Sequence, residues 1–197
     1  MGEILQPIDN VYQEMQINDV LKNRKIHINE DVNEISMFKV RYYMEKIKRL
    51  DDINKVPYGN RKPIEIVVNS YGGSVYEMLG TLGVIDEFIN KYKYEIITTC
   101  TGKAMSCGAL LLMSGSKRRT YKYSTILIHK LSSGMWGNYD QLECGFNENK
   151  RLQDLLENYI ISKTNISKTK LRNKTKGVDW SLSPEECLKL GIVDEII

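Results

Sequence analysis

The chain of 197 residues is long enough for one domain with a substantial core and short for two. Its 42% hydrophobic and 27% charged residues match an ordinary folded protein and exclude wholesale disorder. The 28 basic residues nearly offset the 25 acidic ones, and apart from Lys117-Arg118-Arg119 they are scattered without interleaved aromatics, which argues against a nucleic-acid partner.

In chain order, residues 1–22 are polar and aperiodic and are expected to form an arm ahead of one domain spanning residues 23–197. Residues 25–29 alternate, with Ile26 and Ile28 on one face and Lys25, His27 and Asn29 on the other, so a half-buried strand with His27 in solvent is predicted. The stretch "NEISMFKVRYYMEKIKRLDD" predicts an amphipathic helix directing Ile35, Phe38, Tyr42, Met44, Ile47 and Leu50 inward. Pro57, Gly59 and Pro63 mark a loop. A β-branched strand, "IEIVVNS", then stops at "YGGS", and a helix follows with Val75, Met78, Leu82, Ile85 and Ile89 on one stripe. Ser74 and Glu77 stand at capping-box spacing at its start.

The strand "YEIITTCTG" leads into "GKAMSCGALLLM", and "STILIHKL" predicts another strand. "NENKRLQDLLENYIISKT" predicts a helix with Leu152, Leu155, Leu156, Tyr159 and Ile160 inward. "SPEECLKLG" reads as a short helix with Ser183 as N-cap, Pro184 at its first position, Glu186 at the box position and Gly191 past its end. "IVDEII" is a closing strand. Strands alternating with helices give an α/β class with largely parallel strands.

Cys100, Cys107, Cys144 and Cys187 form no CxxC pair, and His27 and His129 are far apart, so neither a metal site nor a disulfide framework is expected. Unpaired thiols and the absence of a signal-like amino terminus fit a cytoplasmic protein. Apolar runs fall well short of the roughly 18 residues that a membrane span requires.

Chemistry concentrates at two strand-to-helix junctions, "NSYGGS" and "GKAMSCG", where first-turn amides lack internal acceptors. Gly72 and Gly73 suit a phosphate, a developing oxyanion or simply a tight turn. Ser106 partly matches a nucleophile elbow, with Ala104 in place of the first glycine, and equally suits a helix cap. A serine nucleophile requires a base, and His129, sharing a face with Leu127 and Thr125, is better placed than His27. Asp140, Asp154, Asp179 and Asp194 are all candidates to orient such an imidazole, and spacing does not choose among them.

These segments resemble the proteolytic subunit of the Clp protease, a family of serine peptidases with phage-encoded relatives, over roughly residues 20–197. "VNSYGGSV" is similar to the family's "INSPGGSV", and "GKAMSCGALLLMSG" to its nucleophile segment "GQAASMGAFLLAAG". "LIHKLSSGMWGN" is similar to the segment carrying the family's base, and "DWSLSPEECLKLGIVDEI" to its carboxy-terminal "DRFLSAPEAVEYGLVDSI". The resemblance implies a catalytic triad of Ser106, His129 and Asp179, with the N–H groups of Gly73 and Cys107 as oxyanion hole. It further implies a crotonase-like α/β fold of repeated β-β-α units with a protruding handle helix near residues 147–163. Heptameric rings stacked as a tetradecamer around a closed chamber, cleavage of peptides or unfolded proteins, an AAA+ Clp ATPase partner, and no cofactor or metal follow from it as well. Tyr71, Lys103, Cys107 and Lys130-Leu131 depart from the family's Pro, Gln, Met and Gln-Pro. A crotonase-type acyl-CoA enzyme and a catalytically silent ring subunit are the competing expectations.

Overall fold

The computed structural model describes residues 17–197, so most of the expected arm lies outside the described residues. A π-helical turn at Asp19–Asn23 buries Val20 and leads into strand β1 (Lys25–Ile28). There follow helix α1 (Glu34–Ile53), β2 (Ile64–Ser70), α2 (Val75–Asn90), β3 (Ile96–Met105), α3 (Cys107–Met113), β4 (Lys117–Thr120) and β5 (Thr125–Ile128). The chain ends with α4 (Tyr139–Lys163), α5 (Lys168–Lys174), β6 (Trp180–Leu182), α6 (Pro184–Lys189) and β7 (Glu195–Ile196). The result is a mixed α/β fold around a parallel sheet, as the crotonase-like expectation requires. No described helix is long and apolar enough to cross a membrane.

Sheet order is β1-β2-β3-β4-β7, every pairing parallel, while β5 joins β3 and β6 pairs antiparallel with β5. Interior strand β2 buries Ile64 and then Ile66, Val67 and Val68 in succession, as a parallel strand covered on both faces does. β3 serves two neighbours in turn: Ile97–Cys100 pair with β4, and Lys103–Met105 pair with β5. The switch occurs at an irregularity, because Val68 lies opposite Cys100 but Ser70 lies opposite Ala104, leaving residues 101–103 to face Asn69 alone. Such a bulge bends the strand and turns its continuation away from the main sheet. The small β3-β5-β6 subsheet beyond it carries the candidate site.

Helix α1 presents a face that only partly matches the one its sequence suggests. Met44 and Ile47 are buried as expected, but Ile35, Phe38, Tyr42 and Leu50 are exposed, and Met37, Val40, Ser36 and Asp51 complete the buried face instead. Two polar anchors on the buried face set that rotation. Ser36 closes a capping box with Asn33, and Asp51 receives Arg24 at 2.6 and 3.0 Å and the Tyr94 hydroxyl at 2.7 Å. Arg61, itself buried, completes the cluster by bonding Asp52 and the Tyr94 hydroxyl.

Burial alone would raise the Asp51 carboxyl, but hydrogen bonds from Arg24 and Tyr94 and the two guanidinium charges outweigh it and hold the pKa below the usual carboxylate value. Stability linked to this group is therefore present above the unfolded-state pKa and lost as pH falls through the lower folded value. Asp51→Asn should destabilise the fold by about 3 kcal/mol at neutral pH, since it leaves the half-buried Arg24 guanidinium without its counter-charge, and the loss should shrink toward pH 3 in denaturant titrations.

Elsewhere, α4 starts at Tyr139, ahead of residue 147, because Asn138 and Gln141 form a reciprocal capping box. Leu152 and Ile160 are buried as expected, but Leu155 is exposed. The run Lys117-Arg118-Arg119 is strand β4, with its cations paired to Glu195, Asp194 and Glu65 respectively, and so is not a free basic patch.

Candidate active site

Ser106 is the hinge between β3 and α3, with φ 52° and ψ −122°. A non-glycine residue held there stores roughly 1–3 kcal/mol of backbone strain, which surrounding structure must sustain. Support comes from three sides. The Ser106 N–H donates to the Leu127 carbonyl at 2.9 Å, and the carbonyl of Ser106 accepts from Ala109 at 3.0 Å. The wholly buried helix α3 anchors the far side. The side chain makes no capping hydrogen bond, so the helix-cap reading of this serine is corrected: position 106 is an N-cap by backbone geometry only.

Gly72 and Gly73 lie against this hinge with φ of 101° and 143°. A Cβ on Gly72 would stand 2.6 Å from the Met105 carbonyl oxygen and 2.7 Å from the Ser106 Cβ, so the turn approaches the serine only because that atom is missing. Gly73 is bridged to Val32: the Val32 N–H donates to the Gly72 carbonyl and the Ser74 N–H to the Val32 carbonyl, both at 2.7 Å. Among the described residues neither the Gly73 N–H nor the Cys107 N–H donates a hydrogen bond. Two free amides thus flank the serine, Cys107 at the positive end of α3 and Gly73 on the facing turn.

The Cys107 thiol is tied to the Gly73 carbonyl at 3.2 Å. Burial pushes its pKa up to about 11, only partly countered by that carbonyl and by Ser106, so it is a neutral thiol at pH 7. A neutral buried thiol does not compete with the adjacent hydroxyl as nucleophile.

His129 follows β5 directly. The antiparallel pairs Ile126 with Leu182, Leu127 with Ser181 and Ile128 with Trp180, continued by one step, set His129 opposite Asp179. The imidazole Nδ1 stands 3.9 Å from Asp179 Oδ1, an ion-pair separation about 1 Å longer than a hydrogen bond. The Asp179 side chain is 66% exposed. Ser106, Cys107, Gly73 and His129 line one cleft, whose apolar wall includes Val75, Leu110, Met113 and Ile160.

The other sequence candidates are engaged elsewhere. His27 bonds Asp19 at 2.6 Å, which corrects the expectation of a merely solvated position. Asp154 pairs with Arg172, Asp194 with Arg118, and Asp140 sits in the first turn of α4 beside its Asn138 cap. Strand β6, which brings Asp179 to the histidine, is only three residues long and carries no readable periodicity.

A serine on a strained strand-to-helix hinge, facing two unengaged amides and sharing a cleft with an imidazole, is an arrangement suited to acyl transfer. The sequence profile described as Clp protease matches residues 9–197, and the chain belongs to that family. It is 36% identical over 136 residues to the ATP-dependent Clp protease proteolytic subunit of Deinococcus radiodurans, covering 68% of this chain and 64% of that protein. To the ATP-dependent Clp protease proteolytic subunit 2 of Synechococcus sp. it is 31% identical over 138 residues, covering 69% and 68%. The chain therefore spans a little under two thirds of the first of these relatives.

Proposed function

We propose that the protein is a serine endopeptidase in which Ser106, His129 and Asp179 act as the triad. The observation carrying this reading is the convergence of the strained Ser106 hinge, the free Gly73 and Cys107 amides and His129 in one cleft. The Ser106 hydroxyl attacks the peptide carbonyl while His129 Nε2 takes its proton, and a carbon–oxygen bond forms. The resulting oxyanion accepts hydrogen bonds from the Gly73 and Cys107 N–H groups. Collapse breaks the carbon–nitrogen bond as His129 returns the proton to the leaving amine, and water then hydrolyses the acyl-enzyme by the reverse relay. Asp179, facing Nδ1, holds the tautomer that leaves Nε2 free.

Family membership supports the wider reading. The protomer would assemble into heptameric rings stacked as a tetradecamer, and would degrade peptides or unfolded proteins in the enclosed chamber without a cofactor. The relatives are named as ATP-dependent subunits, which supports an AAA+ Clp ATPase as partner for this chain. Four cysteines without a disulfide fit a reducing, cytoplasmic setting.

The test is reaction of the purified oligomer with a fluorophosphonate probe, mapped by mass spectrometry, beside cleavage of a short fluorogenic peptide. Modification at Ser106 with parallel loss of cleavage is expected. An oligomer that no probe labels would favour a silent ring subunit, and thioester turnover without peptide cleavage would favour acyl-CoA chemistry. Asp179→Asn should lower kcat by about a hundredfold or more through loss of the imidazolium's counter-charge and tautomer control, read in steady-state kinetics on the same peptide.

A further inference from the structure

The glycine turn that supplies one oxyanion amide needs restraint, because paired glycines have the greatest backbone freedom of any sequence. On one side Val32 supplies it through the 2.7 Å ladder bonds. On the other side stands a contact between two residues at which this chain departs from its family's motifs. The Lys103 ammonium lies 4.0 Å from the centroid of the Tyr71 ring.

That contact originates in the β3 bulge. Residues 101–103 face Asn69 alone, and the Asn69 Oδ1 accepts from the Lys103 N–H at 3.2 Å. Gly102 leaves room for the Asn69 amide, since a Cβ there would stand 3.0 Å from the same oxygen. Bulges beside functional sites commonly re-aim a side chain, and here the pinned backbone delivers Lys103 onto Tyr71. Lys103 is three residues before Ser106, and Tyr71 is directly before Gly72-Gly73.

We infer that Lys103 and Tyr71 form a clamp that fixes the Gly73 amide relative to Ser106, making both positioning residues for the oxyanion hole. Where the family's proline stiffens the turn through its own ring, this chain stiffens it through a cation held against an aromatic face. The inference rests on the serine-peptidase reading of the site.

The clamp is tested by steady-state kinetics of the oligomer on a fluorogenic peptide, with Lys103→Met, Tyr71→Leu, the double variant and Lys103→Arg. A partly exposed cation–π contact predicts a kcat about two- to fivefold lower in each single variant, with KM within twofold of the parent. The double variant should fall no further than either single one, and Lys103→Arg should recover the parent kcat. Unchanged kcat, a loss confined to KM, additive losses, or failure of arginine to rescue would each overturn the clamp. Ser106→Ala in the same assay separates the two ideas, since retained cleavage there would sink the peptidase reading itself.

Discussion

Ser106→Ala is expected to lower kcat on a short peptide by at least about four orders of magnitude and to abolish fluorophosphonate labelling. The hydroxyl is the only group the variant removes, and the hinge should persist because its supports are backbone contacts: the bond to the Leu127 carbonyl and the buried helix α3. The neighbouring thiol offers no substitute, because burial holds Cys107 protonated far above neutral pH. Residual activity should match that of a site with binding and oxyanion groups alone. Thermal stability should hold, since alanine keeps the same strained backbone and the contacts that sustain it. Unaltered turnover by the variant would falsify the assignment.

The second large effect is expected from Gly73→Ala. An added Cβ would collide with the Val32 carbonyl oxygen, and φ of 143° is a conformation that alanine avoids. The turn must shift, carrying the Gly73 amide off its aim and parting the bridge to Val32. Loss of one oxyanion donor costs about 10²- to 10³-fold in kcat, and that range is predicted here with a smaller change in KM. Because Gly73 itself is exposed, the fold should survive at a cost of roughly 1–3 kcal/mol. Full kcat in a folded variant would remove Gly73 from the hole.

How far the sequence announces all this depends on how local each signal is. The α6 cap is local and legible: Ser183, Pro184, Glu186 and Gly191 occupy the positions that their types prescribe, with Gly191 at φ 66°. The stripe of α2 is equally legible, because Met78, Leu82 and Ile85 are buried in their expected order. In helix α1 the apolar spacing finds Met44 and Ile47 but not the full buried face, because large apolar side chains such as Ile35 and Phe38 stay outside while the buried face includes the polar anchors Ser36 and Asp51, the latter held by partners distant in sequence. At the site, the glycine turn and the hinge were visible as motifs. The choice among four aspartates was not, since it depends on the pairing of β5 with β6, and only resemblance to a family could supply it. The contact of Lys103 with Tyr71 joins β3 to the turn after β2 and is invisible for the same reason.

The way His129 meets Asp179 has a further consequence. Their encounter is fixed by strand register, Ile128 with Trp180 and then one step outward, and not by the length of chain between them. The exposed amino-terminal turns of α4, within that interval, can therefore gain or lose length without displacing either side chain, whereas the part carrying Ile160 also walls the cleft. Evolution can refashion this exposed excursion while the chemistry in the cleft stays in step. A single-residue insertion in β5 or β6 has no such latitude: it reverses which side chains face the cleft and silences the site outright.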